Sequence, residues 1–384
     1  MDFEWISTPG RLRSLVRQLE HQPMLAMDTE FLRVDTFYPI PGLVQIADGE
    51  QAWLIDPLAL SQPIELARIF YAQHIIKVLH ACYEDIEVMQ QLSRLPVRQI
   101  FDTQLAAAYL GYGLQVGYQR LLHEELGIQI SKEETRSDWL HRPLSAQQLQ
   151  YAVQDVRYLL PLYAVLRQRL QDRGHWDKVV EDNQLLLIEL TQTTDAQALW
   201  RDLPAVWRLS RPQLAVLQAL WVWRERQARE RNVPRGFLLK NVSMYPLASL
   251  QPRDFHQLER IEGMNPRILR READSLLALI EAARSTPFDD CPETLPRPWP
   301  RPIRDIILAC REVVAARARD LDLPVDVLIR KRQFDELLEA YVAASEPAQR
   351  WRGWRQDVVY RPIVAVFDRH RADLLAWNRE RYAS

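Results

Sequence analysis

The sequence predicts an α/β domain with a mixed sheet, followed by two all-helical domains. Strand-like and helix-like segments alternate through residues 1–190, and the strand signals stop after residue 205. From there an internal repeat with an offset of 90 residues fills the rest of the chain. Alternating strands and helices are typical of a sheet flanked by helices. A length of 384 residues is enough for two or three such domains.

The elements of the α/β part are predicted from hydrophobic periodicity and turn residues. Strands are expected at Met24–Phe31, Gly42–Ala47, Ala52–Ile55, Ile75–Leu79 and Ile100–Phe101. The Asp48-Gly49 turn joins the second and third strands as a hairpin, which makes the sheet mixed. Helices are expected at Arg11–Glu20, Ile64–Tyr71, Asp85–Leu92 and Ser145–Leu170, and a further helix follows Asp102. Asp102 and Ser145 have the side chains of N-caps.

The second half of the chain contains two similar helical segments. ARERNVPRGFLLK at residues 228–240 aligns with ARDLDLPVDVLIR at residues 318–330, and the same offset pairs Gly263 with Gly353. Six prolines from Pro287 to Pro302 predict a stiff, extended linker between the two segments. We therefore expect domains at residues 1–192, 206–287 and 303–384, the last being the more divergent helical copy.

Composition limits the compartment in which the protein works. Its three cysteines are too few and too scattered for a disulfide framework or a zinc site, which fits a reducing cytoplasm. The first ten residues, MDFEWISTPG, do not resemble a signal peptide, and the longest apolar run, near LLLIEL, is too short to span a bilayer. The sequence predicts a soluble, cytoplasmic protein with no membrane partner.

The distribution of charge says more about partners than the net charge of −2 does. Residues 208–240 contain eight basic and two acidic side chains, and residues 350–384 contain eight arginines against four acids. Arginine binds phosphate through its fork of N–H donors. These stretches are consistent with nucleic-acid binding, although a genome rich in G and C also favours arginine codons.

Four acidic residues and one tyrosine are the strongest functional signal in the chain. Asp28 and Glu30, in MLAMDTEF, lie two apart in a predicted strand and therefore point to the same face. Asp85 lies in LHACYEDIEVM, and Tyr151 and Asp155, in QYAVQDVRYLL, are four apart on one helix face. Carboxylates so close together resist desolvation unless a cation compensates them, and Mg²⁺ prefers such oxygen ligands. The combination predicts a metal centre.

Each part of this pattern also has a structural explanation. A lone D-x-E is most often an exposed strand end or turn. Asp85, at a probable helix start, would stabilise the helix dipole without any metal. Tyr151 and Asp155 fit an ordinary amphipathic helix. The order and spacing of the motifs together favour the metal centre.

These motifs resemble those of a known family. MDTEF, the LHA–ED segment, FDTQLAA, SDW–RPL and Y-x-x-x-D are similar to the DEDD 3′→5′ exonucleases of the tyrosine subclass, and most similar to the bacterial ribonuclease D family. The resemblance spans roughly residues 1–190 and implies a ribonuclease-H-like fold. The two helical copies resemble the helicase-and-RNase-D C-terminal (HRDC) domain, a nucleic-acid-binding module.

The resemblance also implies roles for the five residues. Asp28, Glu30 and Asp155 would hold the ion that carries the attacking water, and Asp28 would bridge to a second ion. Asp85 would support the second ion directly or through water. Tyr151 would orient the attacking water. We expect it to position that water rather than act as a full base, because a phenol has a reference pKa near ~10.

Several nearby residues are weaker candidates for substrate contact. They are Phe31, His80, Trp139 and Arg142. A core position for Phe31, a structural role for His80 and a loop anchored by a buried Trp139 explain the same pattern equally well. Gln45, in GLVQI, is ambiguous in the same way, and Asp102 is better explained as an N-cap.

Together these features predict a metal-dependent 3′→5′ exoribonuclease that trims RNA 3′ ends and releases 5′-mononucleotides. The expected cofactors are two divalent ions, Mg²⁺ or else Mn²⁺. The expected partner is RNA, by resemblance a precursor tRNA with a 3′ extension, and no obligate protein partner is evident. A DNA exonuclease and an inactive RNA-binding scaffold are the alternatives. The complete set of five residues argues against the scaffold.

Overall fold

The described residues form two compact units. The computed structural model describes residues 2–60, 62–130, 137–191 and 199–383. The first unit comprises the described parts of 1–32, 39–192 and 304–370, and the second comprises those of 33–38, 193–303 and 371–384. Most of the second helical segment thus belongs to the same unit as the α/β part. The three domain boundaries stay a prediction.

A mixed sheet forms the centre of the first unit, as predicted, and it has six strands. Its strands are β1 (Phe3–Ile6), β2 (Met24–Leu32), β3 (Ile40–Ala47), β4 (Ala52–Ile55), β5 (Ile76–Leu79) and β6 (Ile100–Asp102). Their order across the sheet is β1-β4-β3-β2-β5-β6. The β2–β3 and β3–β4 pairs are antiparallel, and the other neighbouring pairs are parallel. The sequence analysis missed β1, which is only four residues long and lies at an edge of the sheet.

Nine α-helices accompany the sheet in the described part of residues 2–191. They are α1 (Pro9–Leu19), α2 (Pro57–Leu60), α3 (Ala67–Phe70), α4 (Tyr83–Ser93), α5 (Thr103–Tyr109), α6 (Tyr118–Leu126), α7 (Ala146–Arg157), α8 (Leu159–Asp172) and α9 (Trp176–Thr191). Ser145 caps α7 with a capping box, and Asp102 caps α5, as predicted. The single helix predicted from Ser145 to Leu170 is wrong, because the chain breaks at Tyr158 into α7 and α8.

The two faces of the sheet have different roles. A core of apolar side chains joins one face to α1, α3 and α4, and it includes Met27, Val44 and Ile46. Because side chains alternate along a strand, Asp28 and Gln45 point to the opposite face. Helix α7 packs across β2, β3 and β4. The face opposite the apolar core therefore presents β2 carboxylates close to a helix.

The two helical copies follow one another along the chain. The first copy contains α10 (Arg211–Arg231), α11 (Arg235–Leu238), α12 (Asn241–Leu250), α13 (Phe255–Glu259) and α14 (Pro266–Arg284). The second copy contains α15 (Ile303–Asp320), α16 (Val325–Leu328), α17 (Lys331–Val342), a π-helical turn (Gln356–Tyr360) and α18 (Arg361–Arg369), and it is followed by α19 (Arg371–Tyr382). The first copy belongs to the second unit, and residues 304–370 belong to the first.

The predicted internal repeat is present in the backbone. Asn232 and Asp322, 90 residues apart, both have left-handed conformations, with φ of 49° and 51°. Four backbone hydrogen bonds recur at the same offset. In the first copy they are Val233 N to Ala228 O, Phe237 N to Pro234 O, Leu239 N to Arg235 O and Ser243 N to Lys240 O. In the second copy the equivalent bonds are Leu323 N to Ala318 O, Val327 N to Pro324 O, Ile329 N to Val325 O and Gln333 N to Arg330 O. The two copies therefore share one local fold through α11 and α16.

Within the described ranges, every helix is too short or too polar to cross a membrane. All three cysteines, Cys82, Cys291 and Cys310, are free thiols and buried. The cytoplasmic location stays a prediction.

Candidate metal centre

Three carboxylates meet where α7 crosses β2. Asp28 and Glu30 on β2 and Asp155 on α7 each offer an oxygen, and these oxygens all lie within 4.8 Å of one another. Strand alternation places the first two on one face, and the packing of α7 brings the third to them. One oxygen, Asp155 Oδ2, is buried and has no hydrogen-bond partner among the described residues. Such an atom is costly to bury unless another group binds it.

Asp85 reaches this site from the side, through Thr29. Its Oδ1 accepts hydrogen bonds from the Thr29 backbone N–H at 3.1 Å and from the Thr29 hydroxyl at 2.5 Å. Strand β5 pairs with β2 only as far as Ala26, so the Thr29 N–H is not used in a ladder on that side. The sequence analysis missed Thr29, because alternation alone points its side chain away from Asp28 and Glu30.

Burial raises the pKa of all four carboxyl groups, and repulsion among them adds to the effect. The pKa of Asp28 rises well above its usual value, first through burial and then through Asp85, Asp155 and Glu30. The pKa values of Glu30 and Asp155 rise to about 9 and about 8, mainly through burial. For Asp85 burial raises the pKa to about 7, although the hydrogen bonds from Thr29 lower it. A nearby cation would favour the charged form of these groups at neutral pH, above all of Asp28, Glu30 and Asp155.

Tyr151 lies beside the carboxylates, as predicted from its spacing. It is one helical turn before Asp155 on α7, and its hydroxyl hydrogen-bonds to the Asp155 carboxylate. Its ring lies 6.0 Å from that of Trp139, centroid to centroid. The phenol is thus held at the carboxylate cluster.

The donor set suits a hard divalent ion. The site offers oxygens of partly buried carboxylates, with neither a histidine nor a cysteine in the three-residue group, and Asp155 Oδ2 has no hydrogen-bond partner among the described residues. Mg²⁺ and Mn²⁺ prefer oxygen ligands of this kind. These residues could therefore hold a metal ion.

Asp102 supports the approach to Asp85. Besides capping α5, its carboxylate accepts hydrogen bonds from the backbone N–H groups of Ala81 at 3.1 Å and Cys82 at 3.0 Å. Ala81 has a φ of 58°, a left-handed conformation that is unfavourable for alanine. Asp102 thus stabilises the tight turn from which α4, with Asp85 in its first turn, begins.

His80 is held by the protein through both ring nitrogens. Its Nδ1 lies 2.9 Å from the Thr103 hydroxyl, and its Nε2 lies 3.0 Å from the Val116 carbonyl oxygen. Burial lowers its pKa, which favours the neutral ring. Of the two explanations for this residue, the geometry favours a structural histidine.

Trp139 and Arg142 both contact other residues of the protein. The Arg142 guanidinium donates to both Asp56 carboxylate oxygens, at 2.8 and 3.0 Å, and to the Gly42 carbonyl at 2.6 Å. Trp139 is buried, and its carbonyl oxygen would lie only 2.7 Å from a Cβ at Gly42. The structure therefore favours an anchored loop over a substrate contact for both residues.

Phe31 and Gln45 differ in their surroundings. Phe31 is half-buried beside an irregularity in the β2–β3 pairing, so a contact with substrate stays a prediction. Gln45 pairs directly with Asp28 across the two strands and is fully buried. Neither atom of its amide has a hydrogen-bond partner among the described residues. Gln45 is therefore a polar neighbour of the metal centre rather than an ordinary core residue.

Comparison with known proteins gives the family. A family model described as 3'-5' exonuclease matches residues 3–171, and the HRDC domain model matches residues 213–280. Ribonuclease D of Pseudomonas paraeruginosa is 41% identical over 360 residues, 93% of this chain and 95% of the relative. Ribonuclease D of Escherichia coli is 33% identical over 340 residues, 88% and 90% of the two chains.

A solved structure agrees with these sequence matches. Escherichia coli RNase D, described as an exoribonuclease involved in structured RNA processing, superposes with a TM-score of 0.90 at 29% identity. The match covers 96% of this chain and 100% of that structure. Family, fold and active-site chemistry thus agree, and the chain belongs to the ribonuclease D family of 3′→5′ exoribonucleases.

Proposed function

We propose that this exoribonuclease uses two divalent metal ions, held by Asp28, Glu30, Asp85 and Asp155, to release 5′-mononucleotides from RNA 3′ ends. The observation that carries the proposal is the group of partly buried carboxylates, one of whose oxygens has no hydrogen-bond partner among the described residues. Mg²⁺ is the expected ion, with Mn²⁺ as a substitute. The arrangement is that of the tyrosine subclass of DEDD exonucleases.

The protein residues have distinct roles in this mechanism. When bound, the ions would lower the pKa of the attacking water and stabilise the leaving oxygen. Asp28, Glu30 and Asp155 would hold one ion, and Asp85, fixed by Thr29, would support the second. Tyr151 would orient the attacking water. Its position on α7, one turn before Asp155, supports this role.

The substrate we propose is a precursor tRNA with an extended 3′ end. The Escherichia coli relative is described as acting in structured RNA processing. The match of the first helical copy to the HRDC model supports a separate element that holds the folded body of the RNA. We propose that the second copy is a diverged domain of the same type, because its backbone repeats the first. Action on such a substrate requires no obligate protein partner.

A nuclease assay tests this function. Single-stranded RNA and DNA of one sequence, each labelled at the 5′ end, are incubated with the full chain in Mg²⁺ or in excess chelator. We expect stepwise shortening of the RNA from its 3′ end in Mg²⁺ only. The Asp155→Asn variant should not shorten the RNA. Glu50→Gln, at an exposed acid on the β3–β4 turn, is the matched control and should keep full activity.

Three results would reject the proposal. Faster cleavage of DNA would point to the DNA exonuclease alternative. Binding without any cleavage would point to the scaffold, and undiminished cleavage in chelator would exclude the metal mechanism.

A further inference from the structure

The Gln45 side chain is enclosed between the sheet and α7. It lies on β3, which pairs with β2 on one side and with β4 on the other. Helix α7 packs across these three strands, and Gln45 has no exposed surface. A residue in the middle of a paired strand cannot turn its side chain to the other face, so the amide stays on the side of α7.

The surroundings of the Gln45 amide are mostly apolar. On the same face its neighbours along β3 are Leu43 and Ala47, and Leu54 lies opposite it on β4. The backbone groups of β3 bond to β2 and β4, so they are not available to the amide. Neither atom of the amide has a hydrogen-bond partner among the described residues. Burying an amide in this way is unfavourable, and packing alone gives no reason for a glutamine at this position.

Asp28 is the polar residue that faces Gln45 directly. The two residues are partners in the antiparallel register of β2 and β3. Partners of this kind have Cβ atoms about 5 Å apart and side chains on one face, within reach of a glutamine side chain. An amide N–H donates hydrogen bonds and a carboxylate accepts them, so the two groups are complementary. Asp28 also belongs to the carboxylate group with Glu30 and Asp155.

We propose that Gln45 is a positioning residue of the metal centre, whose amide N–H donates to the Asp28 carboxylate when that carboxylate holds a cation. The bond is not formed in this structure, and rotation of the two side chains is enough to form it. Hydrogen bonds to a charged acceptor are stronger than those to a neutral one. The proposal rests on the two-metal function and adds to it a residue that acts through Asp28.

The orientation of Asp28 matters more than that of the other acids. In the proposed function it is the ligand that joins both ions, so a displaced Asp28 carboxylate would weaken both sites. Groups that hold metal ligands in place typically contribute about 10–100-fold to metal affinity. The alternative is a structural glutamine, whose amide is satisfied within the fold by a buried water.

The two roles predict different results when the amide is replaced by an apolar group. For a positioning residue, the replacement removes a buried polar group that has no partner in the metal-free protein, so stability is kept and metal affinity falls. For a structural residue, the replacement removes a hydrogen bond of the fold, so stability falls and metal affinity is kept.

The test uses two apolar variants and one matched control in the full-length chain. Gln45→Met keeps the length of the side chain, and Gln45→Leu is a second apolar replacement. Leu43→Met is the control, because Leu43 lies two residues away on the same face, opposite Glu30. Urea unfolding in excess chelator measures stability, and calorimetric titration with Mn²⁺ measures metal affinity.

We expect the metal-free urea midpoint of Gln45→Met to equal or exceed that of the natural protein. Its Mn²⁺ affinity should fall about 10–100-fold. Gln45→Leu should show the same combination. Leu43→Met conserves volume and should change the Mn²⁺ affinity less than about twofold.

Unchanged Mn²⁺ affinity in both Gln45 variants would overturn the proposal. A lower metal-free midpoint in both would overturn it as well, because the amide would then have a partner within the fold. An equal loss of affinity in Leu43→Met would assign the effect to packing. Absence of Mn²⁺ binding by the natural chain would reject the metal centre itself. Mn²⁺ binding without RNA cleavage would reject the exoribonuclease function and leave the Gln45 comparison intact.

Discussion

Burial contributes more than mutual repulsion to the raised pKa values of Asp28, Glu30 and Asp155. Strand periodicity predicted that Asp28 and Glu30 share one face, and helix periodicity predicted the same for Tyr151 and Asp155. That the two pairs meet was predicted from the order of the motifs and from their resemblance to a known family. The sequence could not predict the depth of burial, which depends on how α7 packs across the sheet. The same packing leaves the Gln45 amide buried beside Asp28, which strand alternation alone does not distinguish from a core position.

Tyr151 allows a prediction about the chemical step. Tyr151→Phe removes the hydroxyl that contacts Asp155 and keeps the ring next to Trp139. We expect the metal-saturated rate to fall about 10²-fold, with metal binding nearly unchanged, because a positioning group acts in the transition state. Single-turnover rates at increasing Mg²⁺ concentrations measure both quantities. A higher metal requirement with an unchanged saturated rate would make the tyrosine structural.

Lys77 gives a prediction about stability and pH. It is fully buried on β5, donates to the carbonyls of Ala72 and Ile75, and has a pKa lowered by burial to about 7. Above that pH the folded state holds this amine neutral, while the unfolded chain keeps it protonated up to its ordinary pKa near ~10.4. Stability attributable to this residue therefore rises with pH through this window.

Replacing Lys77 with Met removes that pH dependence. Relative to the variant, the natural protein should gain about 1–2 kcal/mol of unfolding free energy between pH 7 and pH 8.5. Urea unfolding at the two pH values, with both proteins compared at each, isolates the lysine, since all other titrating groups are shared. A constant difference between the proteins would mean that the buried amine keeps an ordinary pKa.

At the scale of elements, Asp85 depends on two supports that bring α4 to β2. Asp102 holds the turn before α4, and Thr29 holds the carboxylate itself. Five of the six strands were predictable, as were the capping residues Asp102 and Ser145 and the hairpin, because they follow from local periodicity and side-chain chemistry. The break at Tyr158 and the role of Thr29 were not, because both depend on where neighbouring elements end.

Thr29→Val tests the second support. It keeps the shape of the side chain and the backbone N–H bond but removes the hydroxyl that donates to Asp85. We expect destabilisation of about 1–2 kcal/mol and a several-fold higher Mg²⁺ concentration for half-maximal activity, because the carboxylate loses its hydrogen bond from the Thr29 hydroxyl. Thr29→Ser, which retains a hydroxyl, is the control and should restore most of the metal affinity. Equal defects in both variants would show that packing of the methyl group matters instead.

At the scale of the whole molecule, each of the two compact units is built from segments that are not contiguous in the sequence. Residues 304–370 pack with the catalytic part of the first unit through Asp182 and Arg355, while the domain boundary predicted at residue 303 stays a prediction. The repeat itself was visible in the sequence through the aligned prolines and glycines. The docking was not, because it joins residues 173 positions apart through a buried ion pair.

Arg355→Gln tests how strongly the docking stabilises the protein. It leaves the Asp182 carboxylate buried without its charged partner, so we expect a loss of about 3–5 kcal/mol of unfolding free energy for this unit. Arg352→Gln removes a neighbouring arginine whose partner, Glu346, is exposed, and should lose less than about 1 kcal/mol. Urea unfolding of both variants provides the comparison. Similar urea midpoints for the two variants would contradict a stabilising role for the contact between Arg355 and Asp182.

The central claim, that four clustered acids form a centre for two metal ions, is tested most directly by calorimetric titration of the full chain with Mn²⁺. We expect two ions to bind per chain in the natural protein. In Asp28→Asn at least one of them should be lost, because the group that would join both ions is neutral. Glu50→Gln, as a distant exposed acid, should leave the stoichiometry unchanged. Absence of saturable binding in the natural protein, or an unaltered stoichiometry in Asp28→Asn, would contradict the account.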